Sequence, residues 1–480
     1  MQIKYLMEFK FTPPQKIDKF PEKLADHSEP VVMNFEKCYD RDMDGAVSAL
    51  MRKEHIMQCN ELLKGMNCSC GKYHWCDIGF FAIEKGAIAH LKKMCERDTK
   101  ILLVADENTY GAAGTQTMEA LVGKTVETVI FDGKNILIPD ETAVAAVEAS
   151  LDGVDKIVGV GSGVIQDLCK YVSHQSGIPY YIVATAPSMD GYASTGAAMI
   201  MGGMKVTYAA GLPEAILADP AILKEAPMDM LQAGYGDIVG KYSALNDWRL
   251  SQVVNGEYFC QTIYDMTLDM VHKTLSLADG LMKRDEESVR VLMEALVIVG
   301  IAMSYAGSSR PASGSEHHLS HYFEITGIVH GEEYFPHGID VAYSTIVTAQ
   351  LREEILSKAF SEKQYCPERT YYVKKMQEIY GDVADGCIAL QDKVGLYEKN
   401  MLAVYKEKEE EIRAILKEMP KASEIEDMLS AVGLHKEEFY RLYNKEKISH
   451  AILYAKELKD RYSVLWLYYH MFGKELETNA

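Results

Sequence analysis

The stretch KIVGVGSGVIQDLCKYVS, residues 156–173, carries the strongest indication of the fold. An apolar run ends at Gly161, and Ser162 and Gly163 lead directly into a segment with helical spacing that contains Asp167. Glycines at a strand-to-helix turn let the backbone approach a ligand, and the helix N-terminus offers unpaired N–H groups to a phosphate. The stretch predicts a βα unit that can bind a dinucleotide, although similar turns occur in sheets that bind no cofactor.

Further runs rich in Val, Ile and Leu flank this unit, and helical segments such as DETAVAAVEASLDG separate them. They are KILLVADENT (100–109), VETVIFDG (126–133), YYIVATAPS (180–188) and AILADPA (215–221). Such alternation predicts βαβ units around a buried parallel sheet. The segment AAMIMGGMKVTYAA, residues 197–210, instead predicts a β-hairpin inserted before the last strand.

The chain is therefore predicted to be an α/β protein with an N-terminal Rossmann-like parallel-sheet domain, an all-helical domain after it, and a ligand cleft between them. The strand-like runs stop near Pro220. We predict an N-terminal extension over residues 1–75, a dinucleotide-binding domain over 76–222 and a helical domain over 223–480. A helix is also predicted within residues 35–65, inside the extension, whose role the sequence does not indicate.

The charge balance limits the partners of the chain. Its 480 residues include 70 acidic and 50 basic ones, for a formal net charge of −20, which repels nucleic acids and anionic lipid surfaces. The N-terminus has no secretory pattern, and no stretch reaches about 18 uninterrupted apolar residues. We predict a soluble, cytoplasmic protein that neither inserts into membranes nor binds nucleic acid. An anionic ligand then needs a local attraction, such as a metal or a few buried cations.

The segment CSCGKYHWC, residues 68–76, concentrates three of the ten cysteines around His74. A tetrahedral metal site commonly combines C-x2-C with a second pair a dozen or more residues on, and this stretch has no such partner nearby. We therefore favour a structured turn over a metal or redox site. The other cysteines are scattered, which indicates reduced thiols and not a disulfide framework.

Polar residues follow the predicted strand 180–184 and recur in the helical half. Asp190 lies in the loop YYIVATAPSMDGYAST, at the strand end where ligands of open α/β sheets bind, although a turn or helix cap explains it equally well. Asp237, His317 and His337 together offer one carboxylate and two imidazoles, which suit Zn²⁺, Fe²⁺ or Ni²⁺ with an open position. These residues lie far apart in the chain, so the sequence does not show that they meet in space. Taken singly, an Asp is often a helix cap and a His is often structural.

The segment GSEHHLSH places three histidines on one predicted helix. Residues four apart share a helix face, whereas adjacent residues diverge by about 100°. His317 and His321 therefore point the same way. His318 points elsewhere and is expected to be structural or solvated.

Taken together, these motifs resemble the sn-glycerol-1-phosphate dehydrogenase family, within the superfamily of iron-containing alcohol dehydrogenases, glycerol dehydrogenases and dehydroquinate synthases. The match runs in order through CSCGKYH, LLVADENTYGAAG, GSGVIQD, TAPSMDGYAS, AGYGDIVGK, RPASGSEHHLSH, PHG and KDRYSVL. The resemblance implies a metal-dependent oxidoreductase that reduces dihydroxyacetone phosphate to sn-glycerol 1-phosphate. It implies NAD(H) or NADP(H), one divalent metal (Zn²⁺, Ni²⁺ or Fe²⁺) and a homo-oligomer.

The resemblance also implies the roles of individual residues. A nicotinamide dinucleotide is expected to lie along Asp106, Gly163, Val164, Ile165, Gln166, Asp167, Thr185, Ala186, Pro187, Ser188 and Ser194. The metal is expected on Asp237, His317 and His337, with Asp237 also at the substrate. His330 competes with His337, but PHGIDVAYSTI resembles the family's HG followed by an apolar helix, and VHGEE does not.

Catalysis and substrate binding are assigned to Asp190 and His321, since a His one turn from a ligand can relay a proton. From charge and position we further predict that Lys241 and Arg310 bind the substrate phosphate. Two alternatives remain within the superfamily. One is a glycerol or other alcohol dehydrogenase acting on an unphosphorylated substrate, and the other is a dehydroquinate synthase-like lyase, for which these loops are poor in Lys and Arg.

Overall fold

The computed structural model describes residues 61–134, 137–202 and 204–479, and the strands of this part are short. They are β1 (Met66–Asn67), β2 (Tyr73–His74), β3 (Phe80–Ile83), β4 (Lys100–Asp106), β5 (Thr125–Phe131), β6 (Lys156–Gly161), β7 (Tyr180–Ala184), β8 (Gly196–Met201), β9 (Met204–Ala209) and β10 (Ala215–Ala218).

In the same described residues, the longest helices come after the last strand, β10. They are α1 (Leu91–Met94), α2 (Glu107–Thr109), α3 (Thr115–Ala120), α4 (Glu141–Glu148), α5 (Gly163–Ser176), α6 (Pro220–Leu223), α7 (Met228–Asn255), α8 (Gln261–Leu275), α9 (Ala278–Met282), α10 (Glu286–Ala306), α11 (Ser315–His330), α12 (His337–Ser357), α13 (Arg369–Tyr380), α14 (Ala384–Val394), α15 (Leu402–Glu407), α16 (Glu409–Leu416), α17 (Ala422–Ser430), α18 (Lys436–Leu442), α19 (Lys445–Tyr454) and α20 (Val464–Asn479).

Six strands form one parallel sheet in the order β3-β10-β7-β6-β4-β5. The five strands predicted from apolar runs are all present. Inner residues such as Leu103 and Val158 are fully buried, whereas the edge strand β5 is partly exposed. The edge strand β3 was not predicted. The chain passes from β4 to β5 on one side and then returns to place β6 on the other side of β4. The carboxyl ends of β4 and β6 therefore flank the switch point where open α/β sheets bind ligands.

The predicted hairpin is confirmed as β8 and β9, which pair antiparallel with Gly196 opposite Ala209. It lies between β7 and β10 in the chain and stays outside the six-stranded sheet. The hairpin therefore interrupts the βαβ pattern without adding a strand to it.

Helices α7 and α12 pack closely because glycines line their contact. A Cβ on Gly338 would lie 2.3 Å from the Ala233 carbonyl oxygen, and one on Gly236 would lie 2.6 Å from the Ala342 Cβ. Close approach of the two backbones brings Asp237, in α7, near the first residue of α12, which is His337. The sequence of these helices thus positions two of the three predicted metal ligands.

Helix α10 is almost wholly apolar after its first two turns, which carry Glu286, Glu287 and Arg290. Within the described ranges it alone is long and apolar enough to cross a membrane, and 89% of its most apolar window is buried inside the protein. This is the burial of a core helix.

The described residues fall within one compact unit, Asn60–Ala480. The predicted order of a parallel sheet followed by helices is confirmed, since β10 ends at Ala218 and α6 begins at Pro220. The domain boundaries 75/76 and 222/223 stay predictions. Most of the helix predicted within residues 35–65 lies outside the described residues, and Leu62–Lys64 near its end form a 3-10 turn.

Candidate active site

The glycine turn after β6 opens helix α5 at the switch point of the sheet. A Cβ on Gly161 would lie 2.5 Å from the Ile165 side chain, so a glycine is needed for the helix to pack against its strand. Ser162 makes no side-chain cap to the helix. The first N–H groups of α5 and their partial positive charge are thus suited to an anionic group of a ligand.

The residues predicted along the dinucleotide divide into two sets. Gly163, Val164 and Asp167 are partly exposed, whereas Ile165 and Gln166 are buried. The Gln166 amide donates to the Tyr180 hydroxyl at 3.1 Å and to the Tyr192 carbonyl at 3.0 Å. Side-chain contacts from Ile165 and Gln166 to a ligand are therefore not supported, because both side chains face the core.

The second predicted stretch follows β7 beside this turn. Thr185 and Ala186 are buried and the Thr185 N–H donates to the Gly161 carbonyl at 3.1 Å, whereas Ser188 is partly exposed. A Cβ on Gly234 would lie 1.9 Å from the Pro187 carbonyl oxygen, so this loop rests against α7. The loop therefore joins the sheet to the helix that carries Asp237.

Lys170, which the sequence analysis did not single out, anchors the next loop. Its buried ammonium donates to the carbonyls of Gly191 at 2.9 Å and Gly196 at 2.8 Å and lies 3.3 Å from the Ser194 hydroxyl. Burial lowers the pKa of Lys170, and Asp167, 3.5 Å away, opposes this shift. Asp167 and Ser194, both predicted at the dinucleotide, are thus linked through one lysine.

Asp106 ends β4 and caps the short helix α2. Its carboxylate accepts from the Thr109 N–H at 2.8 Å, and its own N–H donates to the Thr109 hydroxyl at 3.0 Å. The residue lies at the ligand-binding edge of the sheet, as its predicted adenosine-end role requires, and it has a capping role there.

Asp237, His317, His321 and His337 come together from three helices. The ring centroids of His317 and His337 are 5.2 Å apart, those of His321 and His337 are 5.4 Å apart, and those of His317 and His321 are 6.2 Å apart. The His317 Nε2 lies 3.6 Å from the Asp237 Oδ1. His330 instead contacts the Ile379 carbonyl at 2.9 Å, so His337 is the second histidine beside His317.

The donor set fits a divalent metal. The Nδ1 of His317 lies 2.7 Å from the buried Glu316 carboxylate, and the Nδ1 of His337 lies 3.2 Å from the Ser320 hydroxyl. An outer partner on Nδ1 fixes the ring and directs Nε2 to a metal. Burial, together with Lys241, keeps His317 neutral by lowering its pKa well below the usual range. Two oriented imidazoles and one carboxylate are the ligands of an open Zn²⁺, Ni²⁺ or Fe²⁺ site.

Lys241 lies between two carboxylates. Its fully buried ammonium is 2.6 Å from the Asp190 Oδ2 and 2.6 Å from the Asp237 Oδ1, and the Asp190 N–H donates to the Asp237 Oδ2 at 3.0 Å. Burial and the Asp237 charge raise the pKa of Asp190 to about 6. Burial also acts to raise the pKa of Asp237, but Lys241 and the two histidines lower it to about 2. These ion pairs do not support the phosphate role predicted for Lys241, since its charge is already balanced.

Arg310 is also engaged by the protein itself. Its guanidinium pairs with Glu257 and donates to the Tyr462 carbonyl at 2.9 Å and the Ser251 hydroxyl at 3.2 Å, and the residue is 2% exposed. These contacts do not support its predicted phosphate role, because the guanidinium is already paired with a carboxylate of the same chain.

His318 is fully buried, and neither ring nitrogen has a hydrogen-bond partner among the described residues. Burial lowers its pKa well below the usual range, so the ring is neutral. The ring is therefore a packing residue, in line with the expected structural role and not with a solvated one.

Comparison with known proteins places this arrangement in a family. Residues 82–227 match the family model described as iron-containing alcohol dehydrogenase. A glycerol-1-phosphate dehydrogenase [NAD(P)+] of Halalkalibacterium halodurans is 36% identical over 305 residues, which span 61% of this chain and 76% of that protein. The chain belongs to the glycerol-1-phosphate dehydrogenase family. Another relative so named, from Thermococcus sibiricus, is 37% identical over 248 residues, spanning 49% of this chain and 70% of that protein.

Solved structures support the same fold for this glycerol-1-phosphate dehydrogenase family member. A 1,3-propanediol oxidoreductase has a TM-score of 0.54 and 16% identity, covering 81% of this chain and 94% of that one. An iron-containing alcohol dehydrogenase from Thermococcus thioreducens has a TM-score of 0.53 and 14% identity, covering 80% and 92%. The α/β-plus-helical architecture is therefore that of the iron-containing alcohol dehydrogenases.

The sequence analysis did not single out two cationic residues, Lys459 and Arg461, of this family member. Arg461 donates to the Ser309 hydroxyl at 3.0 Å and to the Ser313 carbonyl at 3.3 Å, in the loop that leads into α11. After burial and Lys241, Lys459 also contributes to the lowered pKa of His317, so its charge is close to that ring. Both residues are partly exposed. They lie in the quoted motif KDRYSVL, which could have indicated them.

Proposed function

We propose that this protein reduces dihydroxyacetone phosphate to sn-glycerol 1-phosphate with NADH or NADPH, with one divalent metal held by Asp237, His317 and His337. The observation that carries the proposal is the meeting of these three side chains next to Asp190, on the loop that follows β7. The dinucleotide turn and the ligand set lie on adjoining elements, as a hydride transfer from a dinucleotide to a substrate held beside Asp237, His317 and His337 would require.

A bound metal supplies Lewis acidity, which stabilises negative charge on the substrate oxygen as hydride arrives from the nicotinamide. The chain's own residues prepare the site for this. Glu316 and Ser320 orient the two ligand imidazoles, and Lys241 keeps Asp237 ionised through a buried ion pair. The orientation of the two imidazoles and the charge of Asp237 are thus fixed before substrate enters.

Asp190 and His321 are placed for substrate contact and proton delivery. The ring of His321 is one helical turn from His317 and lies 5.4 Å from that of His337, measured between centroids. A neutral or protonated imidazole at this place can hold a proton for the product hydroxyl, directly or through water. Asp190 offers a carboxylate that accepts hydrogen bonds from substrate hydroxyl groups.

We assign the substrate phosphate to Lys459 and Arg461 in place of Lys241 and Arg310. The former pair is partly exposed, the charge of Lys459 acts on the His317 ring, and Arg461 contacts the loop that leads into α11. The latter pair is buried in ion pairs. In a chain of net charge −20, such local cations are needed for an anionic substrate. Lys459→Gln should raise the KM for dihydroxyacetone phosphate and leave the KM for NADH unchanged.

The deciding assay follows the loss of NADH or NADPH absorbance with dihydroxyacetone phosphate, using protein loaded with Zn²⁺, Ni²⁺ or Fe²⁺, and determines the stereochemistry of the product. Free dihydroxyacetone, which lacks the phosphate, is the comparison substrate. A higher kcat/KM for it would support an alcohol dehydrogenase that acts on unphosphorylated substrates. His317→Ala should abolish turnover, while His318→Leu should retain it.

The cytoplasmic location and the homo-oligomer stay predictions, which fractionation and light scattering can test.

A further inference from the structure

A second group of ligand-type side chains lies apart from the active site. The strands β1 and β2 form a small hairpin, with Met66 opposite His74. In its turn the Cys68 N–H donates to the Lys72 carbonyl at 3.1 Å, and the Gly71 N–H donates to the Cys68 carbonyl at 3.0 Å. Gly71 has a φ of +85°, which a residue with a side chain rarely adopts. This tight turn gathers Cys68, Cys70 and His74 at one end of the hairpin.

A fourth ligand comes from the helical half of the chain. Cys260 is the N-cap residue of α8 and makes no side-chain cap to it. Its Sγ lies 3.6 Å from the Cys68 Sγ and 3.6 Å from the His74 Nε2, and the Cys70 Sγ lies 3.3 Å from the same nitrogen. All four ligand atoms lie within 4.8 Å of one another.

These separations match the edges of a zinc tetrahedron. Zn–S bonds of about 2.3 Å and Zn–N bonds of about 2.0 Å place tetrahedral S···S edges at about 3.8 Å and S···N edges at about 3.5 Å. The S···S distance of 3.6 Å and the S···N distances of 3.3 and 3.6 Å lie within about 0.2 Å of these values. Three of the six edges therefore have the length expected around one zinc ion, and the other three are no longer than 4.8 Å.

Surrounding groups orient the ligands as they do in metal sites. The His74 Nδ1 lies 2.9 Å from the Tyr305 carbonyl oxygen, an acceptor that requires the Nδ1–H tautomer and leaves the Nε2 lone pair for a metal. The imidazole also stacks on the Tyr305 ring, with centroids 5.6 Å apart. The hydroxyls of Thr262 and Tyr258 lie 3.4 Å from the Cys68 Sγ and 3.3 Å from the Cys70 Sγ.

We propose that Cys68, Cys70, His74 and Cys260 bind a structural Zn²⁺ ion that joins the N-terminal hairpin to the helical part of the chain. Three thiolates and one imidazole are a Cys₃His set, which fills all four positions of tetrahedral zinc and leaves none for substrate. His74 and Cys260 are each 1% exposed, whereas Cys68 and Cys70 are partly exposed, so an ion or a chelator has a route in. None of the four belongs to the active-site ligand set.

Cobalt binding tests the proposal, because Co²⁺ bound to thiolates absorbs by charge transfer from sulfur and the active site contains no thiolate. Co²⁺ is added to the reduced, metal-stripped full-length protein. We expect this absorption in the wild type and in His317→Ala, and its loss in Cys70→Ser and Cys260→Ser. Cys366→Ser is the matched control, since Cys366 is exposed and lies outside the cluster. Absence of the band in reduced wild type, or its retention in Cys70→Ser, would overturn the proposal.

Zinc analysis gives a second test, which leaves all four proposed ligands in place. In the His317→Ala protein, where the active site is disabled, we expect about one equivalent of Zn²⁺. Its removal by a chelator should expose additional thiols to a thiol reagent. Absence of bound Zn²⁺ after exposure to zinc, together with a Cys68–Cys260 disulfide found by mass spectrometry once the reductant is replaced by air, would instead show that the two sulfurs form a redox pair and would refute the metal site.

Discussion

The buried carboxylate of Glu316 is expected to set the metal affinity of the active site without contacting the metal. Its Oε1 lies 2.7 Å from the His317 Nδ1 and accepts from the Gly314 N–H at 2.7 Å. Glu316→Gln keeps the size and the acceptor oxygen but removes the charge. A hydrogen bond to a charged group contributes about 1.5–3 kcal/mol, and a neutral one contributes about half of that. The variant should therefore lose about 0.8–1.5 kcal/mol of binding free energy, a roughly 4- to 13-fold weaker Kd for the metal.

Competition with a zinc chelator of known affinity measures this change, and cobalt in place of zinc gives an independent Kd. Turnover at saturating metal should stay close to wild type, because Glu316 positions a ligand and does not touch substrate. Glu332→Gln is the matched control, as that carboxylate is 54% exposed and pairs with Lys447 at the surface. If Glu316→Gln bound metal as tightly as the control, the carboxylate would not be the group that orients the His317 ring.

Three further predictions concern the same cleft. His321→Asn should retain the full metal content, measured by elemental analysis, and lower kcat by about 10²- to 10⁴-fold, the usual contribution of a proton-transfer group. The pKa of Asp190 is raised to about 6, so its carboxylate becomes protonated as the pH falls through this value. The protonated group no longer accepts hydrogen bonds from substrate as a carboxylate does, and kcat/KM should therefore fall. Asp190→Asn should remove that inflection from the pH profile. Gly234→Ala should destabilise the protein by about 1–3 kcal/mol in denaturant titrations and raise the KM for NADH, since the added methyl group would lie 1.9 Å from the Pro187 oxygen; unchanged values would contradict the close packing.

The sheet was largely readable from the sequence because buried parallel strands are almost continuous runs of apolar residues. Val158 and its neighbours in β6 are fully buried, so nothing polar interrupts the run. The edge strand β3 was missed, although its four residues, Phe80–Ile83, are as many as those of β10, which was predicted. Pairing of such a strand with β10, far along the chain, depends on contacts that local pattern does not contain.

The sites were harder to predict because their contacts join distant parts of the chain. Resemblance to a family named the metal ligands, but the sequence could not show that Lys241 and Arg310 are neutralised by carboxylates of the same chain. The segment around Cys68 was interpreted as a turn because no second ligand pair stood nearby. Its partner Cys260 lies 192 residues further on, a separation that no spacing rule covers.

The ammonium of Lys241 has a consequence for how the two ligands of the enzyme affect each other. It bridges Asp190, on a loop of the sheet half, and Asp237, on helix α7 and a proposed metal ligand. A ligand that displaces one of the two carboxylates from Lys241 changes how strongly the Lys241 ammonium attracts the other carboxylate. Thermodynamic linkage then makes the effect reciprocal: the factor by which the substrate changes metal affinity equals the factor by which the metal changes substrate affinity. Titrations of one ligand therefore have meaning only at a stated occupancy of the other.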